Sequence, residues 1–231
     1  MVRDLHTLFD ALPAEAGPAD YARLVVDENV LGKRTSAARR HTLRNLVHLY
    51  AFDPELPLFR IVRALWDQEP EGRPRLALLC ALARDPLLRA SVEAVLDAPP
   101  GQPLASSTLA ATVTRPLTPG TKKAIGTRLL STWAQAGYLD SPRRRLRVRA
   151  PASPAAVAGA LALGFMEGGR GGLLLSSPWV RLLELSAGEA LDLARVAARR
   201  GWIELRTAGD IIDLRVDPLF LPHEKEWCDG Q

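Results

Sequence analysis

The chemistry this chain advertises is cationic. Residues 101–150 hold nine Lys and Arg against one acidic residue, whereas residues 1–100 hold 13 against 14 and residues 151–231 hold eight against eleven. A net charge of +4 over 231 residues therefore hides one segment of +8. Cations focused in this way suit a polyanion, because phosphate neutralisation and counterion release scale with local positive charge. Within the segment, Thr121, Lys122 and Lys123 open a helical pattern that continues through Thr127 and Arg128. Cations at a helix N-terminus oppose the helix dipole, so Lys122 and Lys123 need another reason to be there, and a phosphate or a base edge supplies one. Arg143, Arg144, Arg145, Arg147 and Arg149 follow, and Arg grips phosphates bidentately. In an extended stretch Arg147 and Arg149 share one face, with Leu146 and Val148 opposite. A second group, Lys33, Arg34, Arg39, Arg40 and Arg44, lies at the start of an earlier helical pattern. Arg40 and Arg44, four apart, share a face of it. These are expected to be secondary phosphate contacts or a surface helix paired with Asp27, Glu28 or Asp53.

Other chemistries find no support in the residues. There is no phosphate-binding glycine loop, dinucleotide fingerprint, His-Glu-x-x-His or Gly-x-Ser-x-Gly. His6, His41, His48 and His223 are scattered, and His223 with Cys228 is too little for a zinc site. The two cysteines, Cys80 and Cys228, form no disulfide framework, which suits a reducing cytoplasm. The longest apolar run, Pro154–Met166, is shorter than the roughly 20 residues a bilayer crossing requires. The expectation is a non-catalytic cytoplasmic protein with no cofactor, no metal, no small-molecule substrate and no membrane contact.

The elements that must hold the cations are mostly helical. Apolar residues at three- and four-residue steps predict helices over 5–12, 21–31, 35–50, 58–66, 75–84 and 86–97, an N-terminal helical bundle over residues 1–98. Ala98-Pro-Pro-Gly-Gln-Pro103 breaks the pattern. Residues 104–150 then read as a short helix from Ser106 or Ser107, a turn at Pro116–Gly120, a longer helix from Thr121 to Ala136, a stop at Gly137, and two short strands around Tyr138–Asp140 and Leu146–Arg149. That order is a winged helix-turn-helix. Residues 155–231 read as an apolar helix, a loop over 164–172 with five glycines, a helix capped at Ser186 with a capping box to Glu189, and a hairpin over 202–216. Trp66, Trp133, Trp179 and Trp202 are expected in the core. The fold class is mainly α, and helix-then-hairpin order occurs twice.

The stretch Glu28-Asn-Val-Leu-Gly-Lys-Arg-Thr-Ser-Ala-Ala-Arg-Arg40, the helices after it, and Thr118-Pro-Gly-Thr-Lys-Lys-Ala-Ile125 leading to Leu129-Leu-Ser-Thr-Trp-Ala-Gln-Ala-Gly-Tyr-Leu139 resemble the BrxA family of bacterial BREX phage-defence systems, over about residues 20–150. The resemblance implies a small helical accessory protein that binds double-stranded DNA, with a fold likened to NusB-type bundles, acting beside other defence-system proteins. The glycine-rich loop and the final helix-hairpin unit depart from it. Two other functions suit the same residues: a winged-helix transcriptional regulator, and a protein–protein adaptor that binds no nucleic acid.

Overall fold

The computed structural model describes residues 2–141, 143–209 and 211–224. It is mainly helical, with a two-stranded antiparallel hairpin near the C-terminal end. Pro142, Asp210 and Cys228, which enter the expected turns and tail, lie outside the described residues. Contacts divide the chain into two compact units: residues 1–60 with 80–150, and residues 61–79 with 151–231. Both chain crossings near residues 60 and 80 fall inside helices rather than in loops.

The first unit contains α1 (Val2–Ala11), α2 (Pro18–Ala22, continued by a wider turn over Arg23–Asp27), α3 (Ser36–Tyr50) and the start of α4 (Pro57–Gln68). The end of α5 (Arg73–Arg84) follows, with α6 (Pro86–Arg89), α7 (Val92–Leu96), α8 (Ser106–Ala111) and α9 (Pro119–Gln135). Its aromatic centre is Phe9, Tyr21, Phe52 and Phe59, all buried, with Tyr21 stacked on Phe52 at 4.1 Å between ring centres. That packing holds Ala51 and Phe52 at φ of +64° and +59° where α3 ends, a conformation that costs a non-glycine residue free energy. Thr35 caps α3 by accepting the Ala38 N–H.

The helix expected over 86–97 is two short helices. Asp85 caps the first by accepting the Leu87 and Leu88 N–H groups. The chain then turns at Ser91, whose hydroxyl donates to the Leu88 carbonyl at 2.6 Å. The competition of a serine hydroxyl with helical bonding explains the break.

The second unit surrounds α10 (Pro154–Met166), in which every residue from Ala155 to Phe165 is buried. A helix apolar on all sides belongs at a centre, and α11 (Pro178–Arg181) and α12 (Ala187–Arg199) pack on it. Gly159 admits Leu76, whose Cδ2 would lie 2.8 Å from a Cβ there. Gly164, expected in a loop, lies inside this helix against Ser177 and Leu174, and Gly171–Ser176 forms a 3-10 turn. Arg170 stacks on Phe165 at 4.2 Å and donates to the Phe165 and Gly169 carbonyls. The hairpin, β1 (Glu204–Ala208) and β2 (Ile211–Arg215), pairs Glu204 with Arg215 and Arg206 with Asp213. Trp66, Trp133 and Trp179 are buried, as expected, while Trp202 is half-buried beneath Arg200. No helix among the described residues is long and apolar enough to cross a membrane.

Glu69 ties this unit together. Its carboxylate accepts the Ala155 N–H at 2.9 Å, where α10 begins, and pairs with Arg200 at the end of α12. Burial pushes the carboxyl up, but bonds from Ser153, from the Ala155 N–H and from Arg200 outweigh it and hold it below the ordinary glutamate range. A carboxyl depressed in the folded state contributes stability above its unfolded value and loses it as pH falls through the folded one. The urea midpoint should therefore drop as pH falls below about 4.5. Glu69→Gln should cost about 2 kcal/mol at neutral pH and flatten that acid dependence. An unchanged acid limb in the variant would remove Glu69 from this role.

Candidate nucleic-acid interface

Helix α9 carries the first cations, and three features of its sequence fix its position. Thr118 caps it by accepting the Thr121 N–H at 3.2 Å, and Pro119 supplies a preset φ in the first turn. Gly126 faces α8 so closely that a Cβ there would lie 2.2 Å from the Ser106 carbonyl oxygen and 2.8 Å from the Ala110 Cβ. Leu129, Leu130 and Trp133 are buried on the core side. The Trp133 indole N–H donates to the Ser91 hydroxyl at 2.9 Å. The outward side then shows Thr121, Lys123, Thr127 and Arg128, with Lys122 half-buried beside them. Lys122 and Lys123 make no ion pair among the described residues. Arg128 approaches Asp85 at 3.5 Å, and the Thr127 hydroxyl donates back to the Lys123 carbonyl.

Gly137, at φ +88°, turns the chain out of α9. The segments around 138–140 and 145–148 run antiparallel: the Val148 N–H donates to Tyr138 and the Asp140 N–H to Leu146. On its other side the second segment pairs with residues 101–104, through Gly101 to Arg147, Arg147 to Gln102 and Leu104 to Arg145. The two expected strands are thus reduced to isolated bridges, Leu139 with Arg147 and Pro103 with Leu146. The causes are local. The Leu146 N–H bonds to the Asp140 carboxylate, Arg145 takes φ +55°, and Pro103 has no N–H to donate.

The loop between the bridges presents Arg143, Arg144 and Arg145, all exposed. It is held by the Arg145 N–H on the Ser141 carbonyl, the Arg144 N–H on the Ser141 hydroxyl, and an exposed Arg144–Asp140 ion pair at 3.1 Å. Arg149 is exposed as well.

Arg147 departs from expectation. It does not share an outward face with Arg149 but is buried, at 1 % exposure. Its Nε donates to the Val95 carbonyl at 2.8 Å, another N–H donates to the Val148 carbonyl, and the guanidinium lies over the Tyr138 ring at 5.3 Å. The five donors of a guanidinium make such a position tenable, because each can find a carbonyl. An unlooked-for cation, Arg115, stands exposed in the turn between α8 and α9. Its place in the basic segment was the available signal.

The α3 group also divides. Lys33 pairs with Asp4 at 2.9 Å, and Arg39 donates to the Val26 and Lys33 carbonyls. Arg34, Arg40 and Arg44 are exposed, and Arg40 donates to the Ser36 hydroxyl. Glu28, an expected partner for this group, pairs with Arg23 instead. Cys80 is buried and donates to the Leu49 carbonyl, and burial pushes its thiol up to about 12, so it offers no thiolate nucleophile at neutral pH. Among the described residues no cluster of His, Cys, Asp and Glu could hold a metal ion.

Removing Arg147 would orphan buried carbonyls and open a cavity. Arg147→Ala should therefore cost about 3 kcal/mol in urea unfolding, whereas Arg143→Ala should change stability by less than about 0.5 kcal/mol. Equal effects would place Arg147 on the surface. Comparison of the chain with protein-family models, with characterised proteins and with solved structures gives no match.

Proposed function

We propose that this chain binds double-stranded DNA without catalysing a reaction on it. The observation that carries the reading is the opening turn of α9. Lys122 and Lys123, the fourth and fifth residues of a helix that starts at Pro119 rather than at Thr121, stand at the positive end of its dipole without an ion pair among the described residues, in the same compact unit as a loop with three exposed arginines. On this reading α8, α9 and the two bridged segments act as a winged-helix-like unit, with α9 as recognition helix and Arg143, Arg144 and Arg145 as wing; the helix order and the bridges support it. In helix-turn-helix proteins the second helix enters the major groove by its N-terminal residues. Thr121, Lys122, Lys123, Thr127 and Arg128 would meet the groove and its rim. Arg143, Arg144, Arg145 and Arg149 would grip phosphates, and Arg147 would hold the wing from within. The resemblance to the BrxA family makes an accessory role in phage defence the biological setting of this binding.

A second reading, a protein adaptor, is favoured by one observation in the other unit: Leu173 and Ile211 are 78 % and 73 % exposed, and large apolar side chains exposed to this degree suit a protein contact.

Anisotropy of a labelled duplex across a salt series separates the two. With about four phosphates neutralised, log affinity should fall against log salt with a slope near −3.6. Replacing Arg143, Arg144 and Arg145 together by Ala should flatten it by two to three units. Absence of salt-dependent binding would favour the adaptor, and an unchanged slope in a folded triple variant would mean that the arginine loop is not the DNA surface.

A further inference from the structure

Residues 29–52 contain no Asp or Glu but five Lys and Arg, and residues 98–139 contain no Asp or Glu but four. The first stretch spans α3 and the second spans α8 and α9, and both belong to one compact unit. The two helices also line one cleft. Asn45 and His48 come from α3, Arg128 and Thr132 from α9, and Asp85 completes the wall. Arg44 adjoins Asn45 in sequence. With Arg40 it borders a second groove on α3, beside Ala37 and Leu43. Of the five cations near the start of α3, Lys33 and Arg39 are spent on the fold, as described above. Arg34, Arg40 and Arg44 are turned to solvent. Arg40 and Arg44 are like charges four residues apart on one helix, an arrangement that destabilises an isolated helix by a few tenths of a kcal/mol. No acidic side chain within α3 offsets them.

We infer that Arg40 and Arg44, flanked by Arg34, contact backbone phosphates of the same duplex that α9 and the arginine loop hold, so that both patches form one track joined at Arg128. The inference rests on the DNA-binding reading above and extends it to a second helix. The ligand is the phosphodiester backbone rather than base edges. A duplex presents one negative charge per roughly 1.7 Å of its axis, so one that passes the cleft offers phosphates to both patches. The contacts on α3 add affinity and salt dependence without sequence preference.

The test uses the full chain and a duplex of about 20 base pairs, with anisotropy read across a salt series. Arg40→Ala with Arg44→Ala should make the log–log slope shallower by about 2, and Arg40→Lys with Arg44→Lys should restore it. With these two contacts added to the four above, the wild-type slope becomes about −5.4, and combined with the Arg143/Arg144/Arg145 alanine triple the losses should add, since the sites are separate. The Tm of the α3 double variant should not fall, because it removes a like-charge pair and buries nothing. A wild-type slope in the α3 double variant, alongside a flattened slope in the loop triple, would overturn this inference and leave DNA binding standing. A flattened slope in the α3 variant alone would also overturn it, since the duplex would then lie on α3 only. A wild-type protein without salt-dependent binding would remove the underlying reading.

Discussion

A single backbone approach governs the basic surface. The carbonyl oxygen of Ser106 lies where a side chain on residue 126 would begin, so α8 and α9 touch through their main chains. Glycine inside a helix costs roughly 0.5–1 kcal/mol relative to alanine, and here the expense secures a crossing that no other residue permits. Once that crossing is closed, the 3.6-residue period decides the rest. Leu129, Leu130 and Trp133 must face the core, and Lys123 and Thr127 must face away from it. The direction in which α9 offers its cations is therefore set by an atom on α8.

The arginines of residues 143–149 show how one residue type divides between structure and surface. Arg147 is desolvated, and it is tolerated because backbone carbonyls and an aromatic face take the place of water. Arg143 and Arg144 are exposed, and the Arg144–Asp140 pair contributes little to stability. The buried member anchors the segment from which the exposed ones project. Charge alone cannot separate them, since all carry the same group.

Much of the helical framework is legible from the sequence, because periodicity and caps are local. Thr35 and Ser186 cap where expected, the Ser186–Glu189 capping box forms, and Gly137 and Gly201 end α9 and α12 at positive φ. Features set by distant partners are not legible. Alternation around Arg147 suggested an outward strand face, but the Val95 carbonyl, 52 residues away, decided otherwise. The importance of Gly126 depends on Ser106, and Glu69 binds the start of α10, 86 residues on. The division into units is equally non-local. It crosses α4 and α5, while the Pro/Gly-rich stretch at 98–103 lies inside one unit, and only the crossing after Ala150 coincides with a visible linker.

The two helix-hairpin portions make the electrostatic argument sharper. Helices α9 and α12 are each capped by a hydroxyl, each ends at a positive-φ glycine, and each leads into an antiparallel pair. Their openings differ in charge. Helix α12 places Glu189 there, where it completes the capping box and complements the dipole. Helix α9 has Thr121 in the equivalent position, followed by Lys122 and Lys123, and no acidic residue in its first turn, so it forgoes that stabilisation. The units follow the same division, with 19 Lys and Arg against 12 acidic residues in the first and 11 against 14 in the second. A helix selected only to be stable would resemble α12. The opposite choice in α9, made in the unit that holds the excess of cations, has a physical reason if the missing negative charge comes from a bound polyanion.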